Sequence, residues 1–376
     1  MHESALVHDW KWQIANRVST REQLETYIEL TDGERAAFDG DIPLSFAVTP
    51  HYANLLKHDA LRRTVIPTGC ESHFGTGELA DPLGEENHRA SPHLIHTYPD
   101  KVLFLVTTFC STYCRYCTRS RLVGKLMNAD AASSRVAQGK PTCSVATRLD
   151  AASTFEESFL YIEEHTEIRD VLLSGGDPLT MTDPVLDEIL TRLREIPHVR
   201  TVRIGSKVPV VLPMRITDEL CAILRKHRVW LSLHFIHAAE LSPETQSACR
   251  KLSDHGIGMV SQTVLLKGIN DDTQTLVDLF YGLLEINVKP YYLLQCDPVR
   301  GSAHFRTPVE KGIELIRSLH GMVSGLAVPQ YVIDAPGGGG KVPLLGSEQI
   351  RRDGDDVVFL NYEGKEYRYP DPVVAS

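Results

Sequence analysis

From residue 101 to residue 334 the chain alternates apolar runs of strand length with segments of helical period, and this rhythm limits the fold more than any other feature. Strands are expected at 102–108, 170–174, 200–204, 229–235, 258–265, 290–295 and 330–334. Helical patterns lie between them at 155–165, 184–195, 217–227, 242–255, 272–288 and 308–323. Pro184, Pro243 and Pro308 stand near three of the helix starts, preceded by Asp183, Ser242 and Thr307 as caps. A strand that returns parallel to its predecessor needs a crossover, and the helices supply it. The pattern therefore predicts an α/β fold with a parallel sheet rolled into a full or partial barrel. In such folds chemistry collects at the C-terminal ends of the strands.

The first of these strands runs into Cys110-Ser111-Thr112-Tyr113-Cys114-Arg115-Tyr116-Cys117, a C-x3-C-x2-C loop. A cubane iron–sulfur cluster normally takes four thiolates. Three leave one iron open, and an open coordination position separates a catalytic metal site from a structural one. Zinc would want a fourth ligand at short spacing, and none stands there; three unrelated buried thiols are the other alternative. The remaining cysteines, Cys70, Cys143, Cys221, Cys249 and Cys296, are scattered. That usage fits a reducing compartment and not a disulfide scaffold. The net charge of −10 argues against a nucleic-acid surface. No apolar run approaches a membrane span, and Met1-His2-Glu3-Ser4 begins no secretory signal, so a cytoplasmic location is expected.

Two glycine motifs follow later strands. Ser174-Gly175-Gly176-Asp177-Pro178 would let backbone approach a ligand, or simply make a tight turn. Asp334-Ala335-Pro336-Gly337-Gly338-Gly339-Gly340-Lys341 would suit a phosphate loop or a linker, but the P-loop pattern wants Ser or Thr where Val342 stands. The other use for such a lysine is an imine with pyridoxal phosphate (PLP), with the glycines as a hinge. Residues 1–100 read as a helical and irregular extension. Trp10, Trp12, Ile14 and Val18 form one apolar face there, Ser19-Thr20-Arg21-Glu22 starts a helix running on through Leu30, and an ordered connector spans 67–96. Residues 125–153 read as an inserted, partly mobile surface loop, and Val357–Asn361 with Glu366–Tyr369 as a small hairpin.

In combination these motifs resemble the lysine 2,3-aminomutase family, PLP-dependent radical S-adenosylmethionine (SAM) enzymes. The resemblance takes in Trp10-Lys11-Trp12-Gln13, the cysteine loop, Ser174–Asp177, Trp230–Phe235, Tyr291–Asp297, His304–Val309 and the Asp334–Lys341 loop. It implies a partial (β/α)6 barrel over 101–335 carrying the 125–153 insert, an N-terminal extension over 1–100, and a PLP-lysine loop and tail over 336–376. It implies that Cys110, Cys114 and Cys117 bind a [4Fe-4S] cluster and that Lys341 is the catalytic, PLP-binding lysine. Tyr98 and Lys101 would contact PLP; Ser174, Gly175, Gly176, His234 and Gln262 would contact SAM. Arg119 would clamp the substrate carboxylate, and Asp297 and Asp334 would hold its distal ammonium. Two carboxylates converging in a dry barrel mouth are costly without a cation, which favours a basic substrate, although Asp334 before Pro336 could also cap a loop.

The reaction implied is interconversion of L-lysine and β-lysine, in which a 5′-deoxyadenosyl radical initiates migration of the amino group on PLP. The alternatives are another basic amino acid such as arginine, or an iron–sulfur protein without mutase chemistry. The expected partners are a small amino acid, an electron donor of flavodoxin or ferredoxin type and further copies of the chain, with no nucleic acid or membrane. The chain departs from the family at Asp272, which stands where a zinc-binding cysteine is usual, and at Pro370–Ser376, which lack the cysteine-rich tail. Structural zinc is therefore not expected. Thr97 and Lys101 replace two arginines, and Tyr116 replaces a histidine.

Overall fold

The structure, a computed structural model, describes residues 8–40, 44–124, 146–344, 351–354, 356–360 and 363–370. Its main sheet has ten strands whose spatial order is their chain order. The seven expected strands are all present: β3 (Lys101–Thr107), β4 (Asp170–Gly175), β5 (Thr201–Ser206), β6 (Trp230–His234), β7 (Gly258–Leu265), β8 (Lys289–Gln295) and β9 (Gln330–Ala335). Each runs parallel to the next. Between them lie the helices Ala146–Glu164, Asp183–Glu195, Asp218–Lys226, Pro243–Asp254, Thr273–Glu285 and Val309–Leu319.

Three of the six parallel pairs, β5–β6, β7–β8 and β8–β9, are staggered. Trp230 opens β6 opposite Arg203, the third residue of β5, and Lys289 opens β8 opposite Val260, the third residue of β7. Repeated stagger of one sign tilts strands and curls a sheet into a barrel. The helices cover the outside. Phe155 and Phe159 meet Phe104 of β3 edge-on at 5.3 and 5.4 Å, while Leu186, Ile189, Leu190 and Leu193 form the buried stripe of the next helix.

The ends of the sheet differ from expectation. β1 (Arg89–Ser91) and β2 (Leu94–Tyr98) add an antiparallel edge before β3, inside the segment read as irregular. The glycine run ends in β10 (Gly340–Pro343), antiparallel to β9. The ladder does not close between β10 and β1, so the barrel is partial. Across the opening the Lys341 backbone N–H donates to Tyr98 Oη at 2.7 Å.

Other boundaries also shift. Thr20 caps a helix in a capping box with Gln23, but that helix is only Arg21–Leu24 and does not run on to Leu30. Ser242 caps its helix as expected, whereas the other two N-caps are Thr182 and Pro308. Helix Ala146–Glu164 starts inside the stretch read as a loop; 125–145, with Cys143, lie outside the described residues. The C-terminal hairpin is present as β12 (Asp356–Leu360) and β13 (Glu366–Pro370), joined by β11 (Arg351–Asp353). Among the described residues no helix is long and apolar enough to cross a membrane.

Candidate active site

The cysteine loop leaves β3 and is clamped from two sides. On one side is the N-terminal extension. Tyr113 N–H donates to Ala47 O at 3.0 Å and Arg115 N–H to Thr64 O at 2.9 Å. The buried Arg115 guanidinium is held by both oxygens of Glu71 and by Leu44 O at 2.7 Å. Arg17 donates to Cys110 O at 2.8 Å and lies 4.3 Å over the Phe109 ring. On the other side is the Ser174–Asp177 turn. Gly176 N–H donates to Thr107 O at 2.6 Å and Asp177 N–H to Phe109 O at 2.8 Å. A Cβ on Gly175 would lie 2.2 Å from Thr107 O, and one on Gly176 2.3 Å from Phe109 O. These glycines thus let two strand ends approach so closely that any side chain would be expelled.

The loop gathers three free thiols. Burial pushes all three up, Cys117 to about 11; Cys110 is raised further by Asp177 and then by Cys117 and Cys114, and Cys117 by Cys114. Buried thiols that repel one another as thiolates suit a shared metal centre, whose positive charge reverses both effects. Among the described residues no three His, Cys, Asp or Glu side chains stand in metal-holding geometry, so the loop presents a donor set and not a preformed cage.

Below the loop, inside the barrel, is a cavity of ≈ 440 Å³. Of the expected site residues, Tyr98, Lys101, Arg119, Ser174, Gln262, Asp297, Asp334 and Lys341 line it, whereas Cys110, Cys114, Cys117, Gly175 and Gly176 do not. Asp297 accepts from Thr118 Oγ1 at 2.6 Å. Burial pushes the Asp297 carboxyl up to about 6; the Thr118 bond opposes this, the Asp334 charge adds to it, and Lys341 and Arg119 oppose it. Asp334 and Lys341 are direct cross-strand partners, and the Lys341 ammonium pairs with the Asp334 carboxylate. The cavity therefore offers two carboxylates and a lysine in one place.

Two glycines of the run before that lysine are closely packed. A Cβ on Gly338 would lie 2.1 Å from His88 Nε2, and one on Gly340 2.9 Å from the Tyr98 ring. Both also hold positive φ, 94° and 76°. Glycine here allows close approach and left-handed backbone together.

His234 does not line the cavity itself but reaches it through Tyr116, whose Oη is 2.8 Å from His234 Nε2. Burial, then the Lys207 charge, holds the His234 imidazole well below its usual pKa, so it is neutral. Gln262 faces it across the β6–β7 ladder. Lys101 Nζ sits 4.0 Å over the Tyr98 ring. These two flank the turn into β3, so they come from the opposite end of that strand to the cysteine loop. Sequence reasoning missed Glu85, which grips Arg119, and Arg203, held at the cavity wall by Asp170 at 2.9 and 2.8 Å. Both carry charge on an inward face, but only the assembled sheet shows which face that is.

Comparison with known proteins gives a consistent result. Residues 104–280 match the radical SAM superfamily and residues 316–375 the family described as lysine-2,3-aminomutase. The chain is 43% identical to the L-lysine 2,3-aminomutase of Clostridium subterminale, over 97% of its own length and 85% of that protein. It is 43% identical to the L-lysine 2,3-aminomutase of Bacillus subtilis, over 97% of its length and 74% of that protein. The glutamate 2,3-aminomutase of Clostridioides difficile is 38% identical, over 97% of this chain and 83% of that one.

Proposed function

Given that the chain belongs to the lysine 2,3-aminomutase family of radical SAM enzymes, we propose that it interconverts L-lysine and β-lysine by moving the α-amino group to the neighbouring carbon. The observation that carries this substrate is the pair Asp297 and Asp334, two carboxylates converging on one buried cavity. Lys341 balances only one of the two charges, and a basic side chain supplies a second cation; an acidic one would be repelled.

The residues fall into three groups. Cys110, Cys114 and Cys117 would hold the [4Fe-4S] cluster, with Ser174, Gly175, Gly176, His234 and Gln262 facing SAM. Lys341 would hold PLP, supported by Tyr98 and Lys101 across the barrel opening. Arg119 would take the α-carboxylate with a bidentate edge, while Asp297 and Asp334 take the distal ammonium. When bound, the cluster and SAM supply a carbon radical, and PLP supplies a π-system over which an amino group can migrate. The protein's part is to fix the substrate at both charged ends, so that the carbon to be attacked lies in one place, and to exclude water from it. A one-electron donor of flavodoxin or ferredoxin type would reduce the cluster.

The test is anaerobic turnover by cluster-reconstituted protein with SAM, PLP, a reductant and L-lysine. β-Lysine should accumulate, and should vanish in Asp297→Ala and in Lys341→Ala. Cleavage of SAM to 5′-deoxyadenosine without β-lysine would mean that lysine is not the substrate. Arginine is the next to try, because one methylene is worth only about 1–3 kcal/mol in a pocket.

A further inference from the structure

The connector ahead of β1 delivers a buried carboxylate into the cavity wall. Glu85 follows Gly84, whose φ of 62° is left-handed, and its side chain is only 5% exposed. Glu85 Oε1 accepts from Arg119 Nε at 2.9 Å and lies 2.7 Å from Nη2. Its Oε2 accepts from Arg121 Nη2 at 2.8 Å. Arg119 Nη1 points instead to Ser174 Oγ at 3.4 Å. A guanidinium has two edges that can bind a carboxylate bidentately. Glu85 occupies the Nε edge, so the Nη1 edge is left toward the cavity.

The turn that carries Glu85 is itself fixed. Gly337 N–H donates to Pro82 O at 3.0 Å, and Glu86 N–H to Asp81 Oδ2 at 2.9 Å. A Cβ on Gly84 would lie 2.8 Å from the Gly337 carbonyl carbon. Burial works against ionisation of Glu85, but Arg119 and Arg121 outweigh it and hold the carboxyl below its ordinary value.

Arg119 shares its cavity with Asp297 and Asp334 and feels their charge. Without Glu85, the carboxylates left on the cavity wall are Asp170, which Arg203 already engages, and Asp297 and Asp334, with which Arg119 could then pair. Such a pairing would occupy the acidic pair and withdraw the guanidinium in one movement. We propose that Glu85 is a positioning residue that holds Arg119 away from Asp297 and Asp334, and so keeps the anion-binding and cation-binding ends of one cavity apart. The proposal rests on the roles given above to Arg119 and the acidic pair.

The test compares two probes on cluster- and PLP-loaded protein: L-lysine, and 1,5-diaminopentane, which keeps both amines and lacks the carboxylate. Glu85→Leu should weaken diamine binding about tenfold or more, although neither Glu85 nor Arg119 is needed to bind an amine. Adding Arg119→Met should restore diamine binding, because no guanidinium then competes for the carboxylates. A merely structural role for Glu85 would not be rescued by removing Arg119. Unchanged diamine binding in Glu85→Leu, or no rescue in the double variant, overturns the proposal. If Glu85→Leu does not fold, Glu85→Gln carries the same comparison: a smaller loss with the same rescue supports the proposal, and no loss overturns it. Arg119→Met alone tests the underlying reading separately. Should it leave the preference for lysine over the diamine intact, Arg119 is not the carboxylate residue, whatever the rescue shows.

Discussion

At the scale of single residues, Asp297 is the most informative group. Its carboxyl titrates near 6 in the folded chain against an ordinary value of 3.8, mainly because it is buried. Two consequences have definite signs. The folded state holds a proton that the unfolded state has released, so Asp297 makes stability fall as pH rises from about 4 to about 6, and its cost is complete above that. Asp297→Asn should therefore raise the denaturation midpoint at pH 7 and leave it unchanged at pH 3, which denaturant titration at the two values would check. Conversely, an ammonium ligand needs the ionised form. Affinity for L-lysine should climb between pH 5 and 7 and lose that slope in Asp297→Asn; a flat profile in the unmodified protein would refute the ammonium role. Around the site, Lys341 was legible from its glycine motif and Arg119 through the family resemblance. Glu85, Arg17 and Glu71 were not, because their roles arise from partners more than thirty residues away.

Among the elements, the six helices between the strands and the seven parallel strands could be read from apolar runs and faces such as Leu186 to Leu193. The β1–β2 edge could not. Its strands have three and five residues, and their half-buried Arg, His and Thr positions give no alternation. Asp272 illustrates what an element does with an unusual residue. It is the N-cap of helix Thr273–Glu285, its Oδ1 accepting from Thr275 N–H at 2.9 Å. Asp272→Ala should cost about 1 kcal/mol of stability, visible as a lower unfolding midpoint, while Asp272→Asn or Ser should cost much less. No change in Asp272→Ala would mean that the cap is dispensable.

Across the whole molecule, the site depends on two ends of the sheet meeting without a ladder between them. Gly340 stands at that meeting point, with φ of 76° and no room for a Cβ beside the Tyr98 ring. Gly340→Ala should cost roughly 1–3 kcal/mol in strain alone and push Tyr98 off the Lys341 amide. The expected result is a lower melting temperature together with lost PLP absorbance; unaltered PLP uptake would show that the seam can open without harm. The order of the strands gives this seam one more property. Every ladder pairing in the main sheet joins neighbours in the chain, whereas Tyr98 and Lys341 are 243 residues apart. Contacts of such long sequence separation bear the largest loop-closure entropy and form late. The lysine's own amide should then exchange its hydrogen through a small opening of the seam, well before the β3–β9 amides do. The cysteine loop can be shaped as soon as the first strands are laid down, but the lysine reaches its place only when β9 and β10 have been added to the sheet.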